Sequence, residues 1–447
     1  MNIKGKKITI LGAVRSGIGA AKLAKKFGAF PFVSDLSPEE KIQENVKVLR
    51  DNLIEFECGG HSKRVFDCDL IVTSPGVPTD SEVLQEAVSL NIEIISELEF
   101  ASWFCKGKII GITGTNGKTT TTSLCEYTFN KCGKNTIAAG NIGLAFSEVA
   151  DSFGENDFAV VEISSFQLDF IKDFRPFVSV ILNITPDHLD RYEHDVKKYA
   201  ASKMKIGENQ NNTDYYIFNA DDKGTLELNN NSVKRYSFSI KNKVFNGAFT
   251  ENSKIFFSEN GKAEEIMNCG DLSIKGEHNL ANALAVLAIA KIAGCKNDGI
   301  IASFKSFPGV EHRLEFVREI NGIKFINDSK ATNVDSVWYA LRSFNEPLFL
   351  ILGGKDKGND YKQIEEEVKQ RVKKIYAIGS SAEKVKNYFE NIVPVEIKNS
   401  LGECVDSSLA EAQKEEVLLL SPACASFDMF KSYEDRGKQF KDYVKNI

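Results

Sequence analysis

Short apolar runs alternate with stretches of helical periodicity along most of this chain, and that alternation restricts it to βαβ units built on parallel sheets. Three blocks of the pattern separate. In the first, residues 7–11 read as a strand and 16–27 as a helix, with further strands at 32–34, 70–73 and 93–95. The second opens with a buried-looking strand at 108–113 that runs into a glycine turn and a helix from 118 to about 132. Strands at 158–163, 178–182 and 216–219 follow, and an apolar helix over 279–293, stopped by Gly294, closes the block. The polar stretch 229–269 predicts a small antiparallel excursion. After Phe307, Pro308 and Gly309 the third block has strands at 323–326, 348–352, 374–378 and 417–420. At ~150 residues per domain, 447 residues accommodate three. The expected α/β fold therefore has a Rossmann-like N-terminal domain (1–105), a central P-loop ATPase-like parallel-sheet domain (106–309) and a Rossmann-like C-terminal domain (310–447).

Composition narrows the partners. A net charge of −6 provides no basic surface for nucleic acid or anionic membranes, so no nucleic-acid partner is expected and any phosphate site must be local. The apolar run Ala283–Ala290 is far shorter than the ~20 residues of a membrane span. The amino terminus passes at once into the strand at 7–11 instead of a signal-peptide apolar region, which predicts a cytoplasmic protein. Nine scattered cysteines without a C-x-x-C pair fit reduced thiols better than disulfides or zinc. A monomer is expected.

The glycine turn is Gly114, Thr115, Asn116, Gly117, Lys118, Thr119, Thr120, set between a strand and a helix. Backbone amides of such a turn converge on phosphate oxygens, helped by the helix amino terminus. Lys118 would neutralise the β- and γ-phosphates of ATP, and Thr119 or Thr120 would offer a hydroxyl to magnesium. The pattern G-x-x-x-x-G-K-[ST] would put glycine at Ile112, whereas this chain has Gly114 nearer the lysine. Glu162 follows one strand, and Asp187 and His188 follow another. Because the carboxyl ends of neighbouring parallel strands share a crevice, these side chains can meet the bound phosphates and a metal. Taken singly, Glu162 or His188 reads better as a polar strand cap; together at corresponding strand ends they favour a metal site.

These segments, with 276–282 (GEHNLAN) and 311–315 (EHRLE), resemble the Mur ligase family, the ATP-dependent amide ligases of peptidoglycan synthesis, over essentially the whole chain. The resemblance implies ATP, two magnesium ions, and a Lys203 carbamylated by carbon dioxide. That lysine would share the metals with Thr119, Glu162 and His188. An amine that captures carbon dioxide must be neutral, hence a lysine whose pKa its surroundings lower. Asn279 and Asn282 are implied on the adenine side, Arg313 as a γ-phosphate or hinge contact, and Asp328 near the nucleotide. From the residues alone, Asn279 reads as a helix N-cap.

In the third block, 327–333 (NDSKATN), 353–357 (GGKDK) and 421–428 (SPACASFD) resemble the branch of that family whose substrates are UDP-N-acetylmuramoyl-L-alanine and D-glutamate. By implication Lys330, Thr332, Lys357, Ser426, Phe427 and Tyr433 hold D-glutamate. A dicarboxylate needs two separated clusters of cationic or hydroxyl donors, although Lys330 or Lys357 in isolation reads as a surface lysine. In the first block, Gly12 to Gly19 followed by Asp35 superficially suggests a dinucleotide fold, but Val14 stands where the second glycine of G-x-G-x-x-G belongs. The resemblance instead implies a UDP-sugar domain in which Val14, Arg15, Asp35, Leu36, Ser74, Pro75 and Gly76 lie near the uridine diphosphate. Asn141, Ser164 and Gln167 are implied at the muramoyl-alanine. The rivals are another ligase of the same architecture, such as a folylpolyglutamate synthase, an NAD-dependent dehydrogenase, and a nucleotide sensor without turnover.

Overall fold

The computed structural model describes residues 2–187, 189–193, 195–225, 232–356 and 358–447, with the side chains of Leu189 and Asp190 outside the description. Three sheets are present, and the chain divides into two compact units, one of Met1–Leu272 with Leu280–Phe307 and one of Ser273–Asn279 with Pro308–Ile447.

The first unit holds two of the sheets. β1 (Lys7–Leu11), β2 (Phe30–Asp35), β3 (Glu55–Cys58), β4 (Leu70–Thr73) and β5 (Ile94–Ser96) lie in the order β3-β2-β1-β4-β5, all parallel. The order reverses between β1 and β4, which opens a crevice at their carboxyl ends. The second sheet comprises β6 (Lys108–Thr113), β7 (Thr136–Gly140), β8 (Phe158–Glu162), β9 (Val178–Ile181), β10 (Tyr215–Asn219), β11 (Lys234–Ser239), β12 (Gly247–Glu251), β13 (Lys254–Glu259) and β14 (Lys262–Asn268). Their order is β14-β13-β12-β11-β10-β9-β6-β8-β7, so β6 sits between β8 and β9 at the switch point.

Over the described part of the stretch 229–269, residues 232–269, the expected antiparallel excursion is present but is not separate, because it extends this sheet. β11 pairs parallel to β10 and β12 parallel to β11, and only the pairings among β12, β13 and β14 are antiparallel. Gly247 permits the close approach: at φ 128°, a Cβ there would lie 1.8 Å from the Ser237 carbonyl oxygen. The helix Glu277–Ile292 is buried without interruption from Ala283 to Ala290, as an all-round apolar helix requires. Among the described residues no helix is long and apolar enough to cross a membrane.

A buried carboxylate staples the two sheets of this unit. Glu99, on the helix Glu97–Ser102 after β5, is fully buried. One oxygen accepts from the backbone N–H groups of Lys172 (2.8 Å), Asp173 (3.1 Å) and Phe174 (2.7 Å), while the other accepts from the Trp103 indole (2.8 Å). Removing the carboxylate strands several buried donors. Glu99→Ala is therefore expected to destabilise the unit by about 3–5 kcal/mol in urea unfolding, and a loss under ~1 kcal/mol would contradict that role.

The second unit holds the third sheet. β15 (Glu315–Ile320), β16 (Ile323–Asn327), β17 (Leu348–Gly353), β18 (Val372–Ile378), β19 (Val395–Ile397) and β20 (Val417–Leu420) lie in the order β15-β16-β20-β17-β18-β19. All pairs are parallel except the edge strand β15, which is antiparallel to β16. β20, last in sequence, inserts between β16 and β17, so the carboxyl ends of those three strands adjoin.

Candidate active site

The phosphate-type loop leaves β6 at the switch point and enters the helix Lys118–Lys131. Both glycines of the turn are required by geometry. At Gly114 (φ 152°) a Cβ would lie 2.9 Å from the Leu182 Cβ, and at Gly117 (φ 84°) it would lie 2.4 Å from the Asn282 side-chain oxygen. The next strand end braces the loop. Asn116 N–H donates to the Asn183 side chain (2.8 Å), which returns a bond to the Asn116 carbonyl (3.0 Å), and the Thr115 hydroxyl joins the Thr185 carbonyl (3.0 Å) to the Tyr199 hydroxyl (3.2 Å).

Two lysine side-chain nitrogens converge on a single carbonyl. Lys118 Nζ donates to the Gly114 oxygen (2.8 Å) and to the Thr115 oxygen (2.7 Å), and Lys203 Nζ donates to the same Gly114 oxygen (3.0 Å). Lys203, on the helix Val196–Met204, is buried beneath the loop and lies 4.5 Å from the Tyr199 ring centroid. Burial, reinforced by the charge of Lys118, holds its amine well below the usual lysine range, against the opposing pull of Asp187, Glu162 and Asp169.

Glu162 ends β8 beside the loop, in register with Ile112 of β6 and Gly140 of β7. Its Oε1 accepts from the Asn141 side chain (3.1 Å), while its buried Oε2 has no hydrogen-bond partner among the described residues. A buried carboxylate oxygen left unbonded is costly, and a hard cation resolves that cost. Gly140 makes the approach possible, since a Cβ there would lie 2.3 Å from the Glu162 carbonyl oxygen. Ser164 and Gln167 follow as a capped turn, with the Ser164 hydroxyl donating to Gln167 Oε1 (3.0 Å).

At the crevice of the first sheet, Val14 and Leu36 are exposed, 58% and 67% respectively, while Asp35 is buried. The Asp35 carboxylate shapes the crevice by accepting from the N–H groups of Ala13 (2.6 Å) and Ser37 (2.7 Å). The Ser74 hydroxyl is buried without a hydrogen-bond partner among the described residues, 2.9 Å from where a Cβ on Gly12 would stand. Arg15 donates to the Gly143 carbonyl, and Arg191 donates to the carbonyls of Pro75 (3.0 Å) and Gly76 (3.1 Å).

In the second unit the strings 327–333, 353–356 and 421–428 come together at the adjoining ends of β16, β17 and β20. Asp328 N–H donates to Leu420 O (2.8 Å), Gly353 N–H to Pro422 O (2.9 Å) and Lys355 N–H to Ala425 O (2.8 Å). Lys330 Nζ lies 5.3 Å from the Tyr433 ring centroid, Ser426 is buried, and Phe427 is exposed. Asp328 is buried, accepting from the Ser421 hydroxyl (2.8 Å) and Leu314 N–H (3.2 Å). Burial pushes its carboxyl up to about 6, although the charge of Arg313 opposes the shift. Folding therefore favours protonated Asp328, a contribution present below pH ~4 and lost, by about 3 kcal/mol, as pH rises through about 6. The stability of the protein relative to its Asp328→Asn variant should fall across that window in urea titrations; a constant difference would contradict the shift.

Family models match along the chain: a MurD N-terminal domain over residues 19–83, a Mur ligase middle domain over 112–290, and a Mur ligase glutamate ligase domain over 312–424. The UDP-N-acetylmuramoylalanine--D-glutamate ligase of Chloroherpeton thalassium is 44% identical over 463 aligned residues, covering 100% of this chain and 99% of that protein. The chain belongs to the Mur ligase family. Among solved structures, the UDP-N-acetylmuramate-alanine ligase MurC of Thermotoga maritima superposes with a TM-score of 0.63 at 20% identity, covering 99% of each chain. The MurF ligase of Thermotoga maritima in complex with ADP gives 0.61 at 15% identity, covering 93% of this chain and 95% of that one. These two likenesses concern the three-sheet fold of a Mur ligase.

Lys118, Glu162 and Lys203 of this Mur ligase gather at one group of strand ends in the first unit, whereas His188 and Lys357 lie outside the described residues. Asn279 is the third residue of its helix, not the N-cap, and its side chain donates back to the Lys275 carbonyl (2.8 Å). Asn282 stands against Gly117. Sequence reasoning missed Asn183 and Tyr199, whose only signal is proximity to the strand end and to Lys203. It also missed Arg436, a fully buried guanidinium that bonds the Ser329 hydroxyl (2.9 Å), the Ser329 carbonyl (2.8 Å) and the Cys424 carbonyl (3.1 Å). Burial lowers its pKa to about 10, so it remains charged and ties two of the three strings together.

Proposed function

We propose that this Mur ligase joins D-glutamate to the alanyl carboxylate of UDP-N-acetylmuramoyl-L-alanine with conversion of ATP to ADP and phosphate, acting as a cytoplasmic monomer with functional domains at 1–105, 106–309 and 310–447. The observation that carries the reading is the pair of amines, Lys118 and Lys203, on the Gly114 carbonyl, one strand from the unbonded Oε2 of Glu162. The loop from Gly114 to Thr120 binds the triphosphate through its amides, and Lys118 turns from its loop carbonyls to the β- and γ-phosphates. Asn279, Asn282, Arg313 and Asp328 complete the nucleotide site.

The oxygen donors fit magnesium, since one oxygen of the Glu162 carboxylate has no hydrogen-bond partner among the described residues and the Thr119 hydroxyl stands beside Lys118 at the start of the helix. His188 and a carbamate on Lys203 complete the set; the neutral amine of Lys203 adds carbon dioxide and releases a proton. Magnesium, when bound, neutralises charge on the transferring phosphoryl group. The alanyl carboxylate, held near Asn141, Ser164 and Gln167, attacks the γ-phosphorus and displaces ADP, giving an acyl phosphate. The amine of D-glutamate, held by Lys330, Thr332, Lys357, Ser426, Phe427 and Tyr433, attacks that carbonyl, and phosphate leaves. Val14, Arg15, Asp35, Leu36, Ser74, Pro75 and Gly76 anchor the uridine diphosphate.

The relatives that match over the full chain carry this activity in their names. ADP release measured across a matrix of UDP-sugars and amino acids tests the proposal. Release is expected only when UDP-N-acetylmuramoyl-L-alanine and D-glutamate are both present. Equal release with L-glutamate, or without the acceptor, would contradict it.

A further inference from the structure

Arg191 occupies a position that neither the phosphate loop nor the substrate strings explain. It lies in the single-turn helix Leu189–Tyr192, just beyond the strand-end segment that braces the loop. Its two terminal nitrogens donate separately to the consecutive carbonyls of Pro75 and Gly76, at 3.0 and 3.1 Å. Its guanidinium carbon stands 4.2 Å from the ring centroid of Phe166, the residue between Ser165 and Gln167. Phe166 also stacks on Tyr192, whose hydroxyl donates to the Ser202 hydroxyl (3.3 Å), one residue before Lys203. One side chain thus ties the turn after β4 to the turn after β8 and to the segment after β9. Arginine suits this task because its planar fork can engage two carbonyls while its face covers an aromatic ring.

We infer that Arg191 is a positioning residue for the nucleotide-sugar: it fixes the spacing between the turn that anchors the uridine diphosphate and the strand ends that activate the alanyl carboxylate. This rests on the ligase reading and deepens it. A long substrate anchored at both ends gains rate only if the separation of the anchors matches its length. Without Arg191 the UDP end binds a turn that is no longer registered to the chemistry, so the benefit of carrying UDP falls while the chemistry itself is intact.

The test compares wild type, Arg191→Lys and Arg191→Met on the full acceptor and on N-acetylmuramoyl-L-alanine, which lacks the uridine diphosphate. Calorimetric titration with UDP alone and a melting curve accompany each protein. Loss of two charge-assisted hydrogen bonds predicts a rise of about 10- to 100-fold in KM for the full acceptor in Arg191→Met, with KM for ATP within ~2-fold of wild type. Arg191→Lys keeps the charge but not the fork, and should recover only part of the loss. kcat/KM for the truncated acceptor should not change. A parallel fall for both acceptors, or an unchanged KM for the full one, would overturn the inference. Failure of the ligase reading looks different: wild type itself would bind UDP yet release no ADP with both substrates, whereas failure of the inference leaves wild-type turnover intact and Arg191→Met indistinguishable from it on the full acceptor.

Discussion

Replacing Lys118 by alanine is expected to lower kcat/KM for ligation by about 10³-fold while leaving the melting temperature within a few degrees of wild type, because a cation aimed at developing phosphoryl charge acts chiefly in the transition state. The fold supplies the reason for the small stability effect. Lys118 opens its helix and donates to two carbonyls of its own loop, Gly114 and Thr115, while the loop itself is held by Asn183, Thr185 and Tyr199. Turnover in the presence of saturating substrates, together with a thermal melt, checks both parts. A variant that melts early without a selective loss of rate would show that the lysine is structural.

The second large effect concerns Lys203. Lys203→Ala is expected to lose about 10²- to 10³-fold in kcat, with partial rescue by added formate or acetate, since a small carboxylate can take the place left by a carbamate. The direction of its pKa shift is what makes the chemistry available. Buried and beside Lys118, the amine is held low, so its neutral nucleophilic form is populated at a pH where an exposed lysine is protonated. Intact mass under bicarbonate should gain one carbon dioxide in wild type and none in the variant. Full activity of Lys203→Ala, without any response to carboxylates, would remove the carbamate from the account.

The parts of the fold that were legible in the sequence are those whose signal is local. The buried runs that became β6, β8, β9, β17 and β20, and the apolar run Ala283–Ala290 of the helix Glu277–Ile292, announce themselves by composition. β7, made of Thr136, Ile137, Ala138, Ala139 and Gly140, carries little apolar bulk because Gly140 must let the Glu162 carbonyl pass, and β3 is a half-exposed edge strand. The continuation of the central sheet through β11 and β12 was hidden for another reason: sheet membership depends on a partner strand, not on the strand's own residues. The site follows the same division. Lys118 and Glu162 stand at strand ends that a parallel sheet must bring together. Arg436 and Arg191 could not be found that way, because each is defined by backbone carbonyls distant in sequence, which no motif records.

If the terminal phosphoryl group of ATP passes to a carboxylic acid, the fate of one oxygen atom records the transfer. With the alanyl carboxylate of UDP-N-acetylmuramoyl-L-alanine labelled by a heavy oxygen isotope, turnover with ATP and D-glutamate should place one labelled oxygen in the released phosphate, as read by mass spectrometry. Phosphate that carries no label, with the oxygen lost from the carboxylate appearing in water, would contradict it.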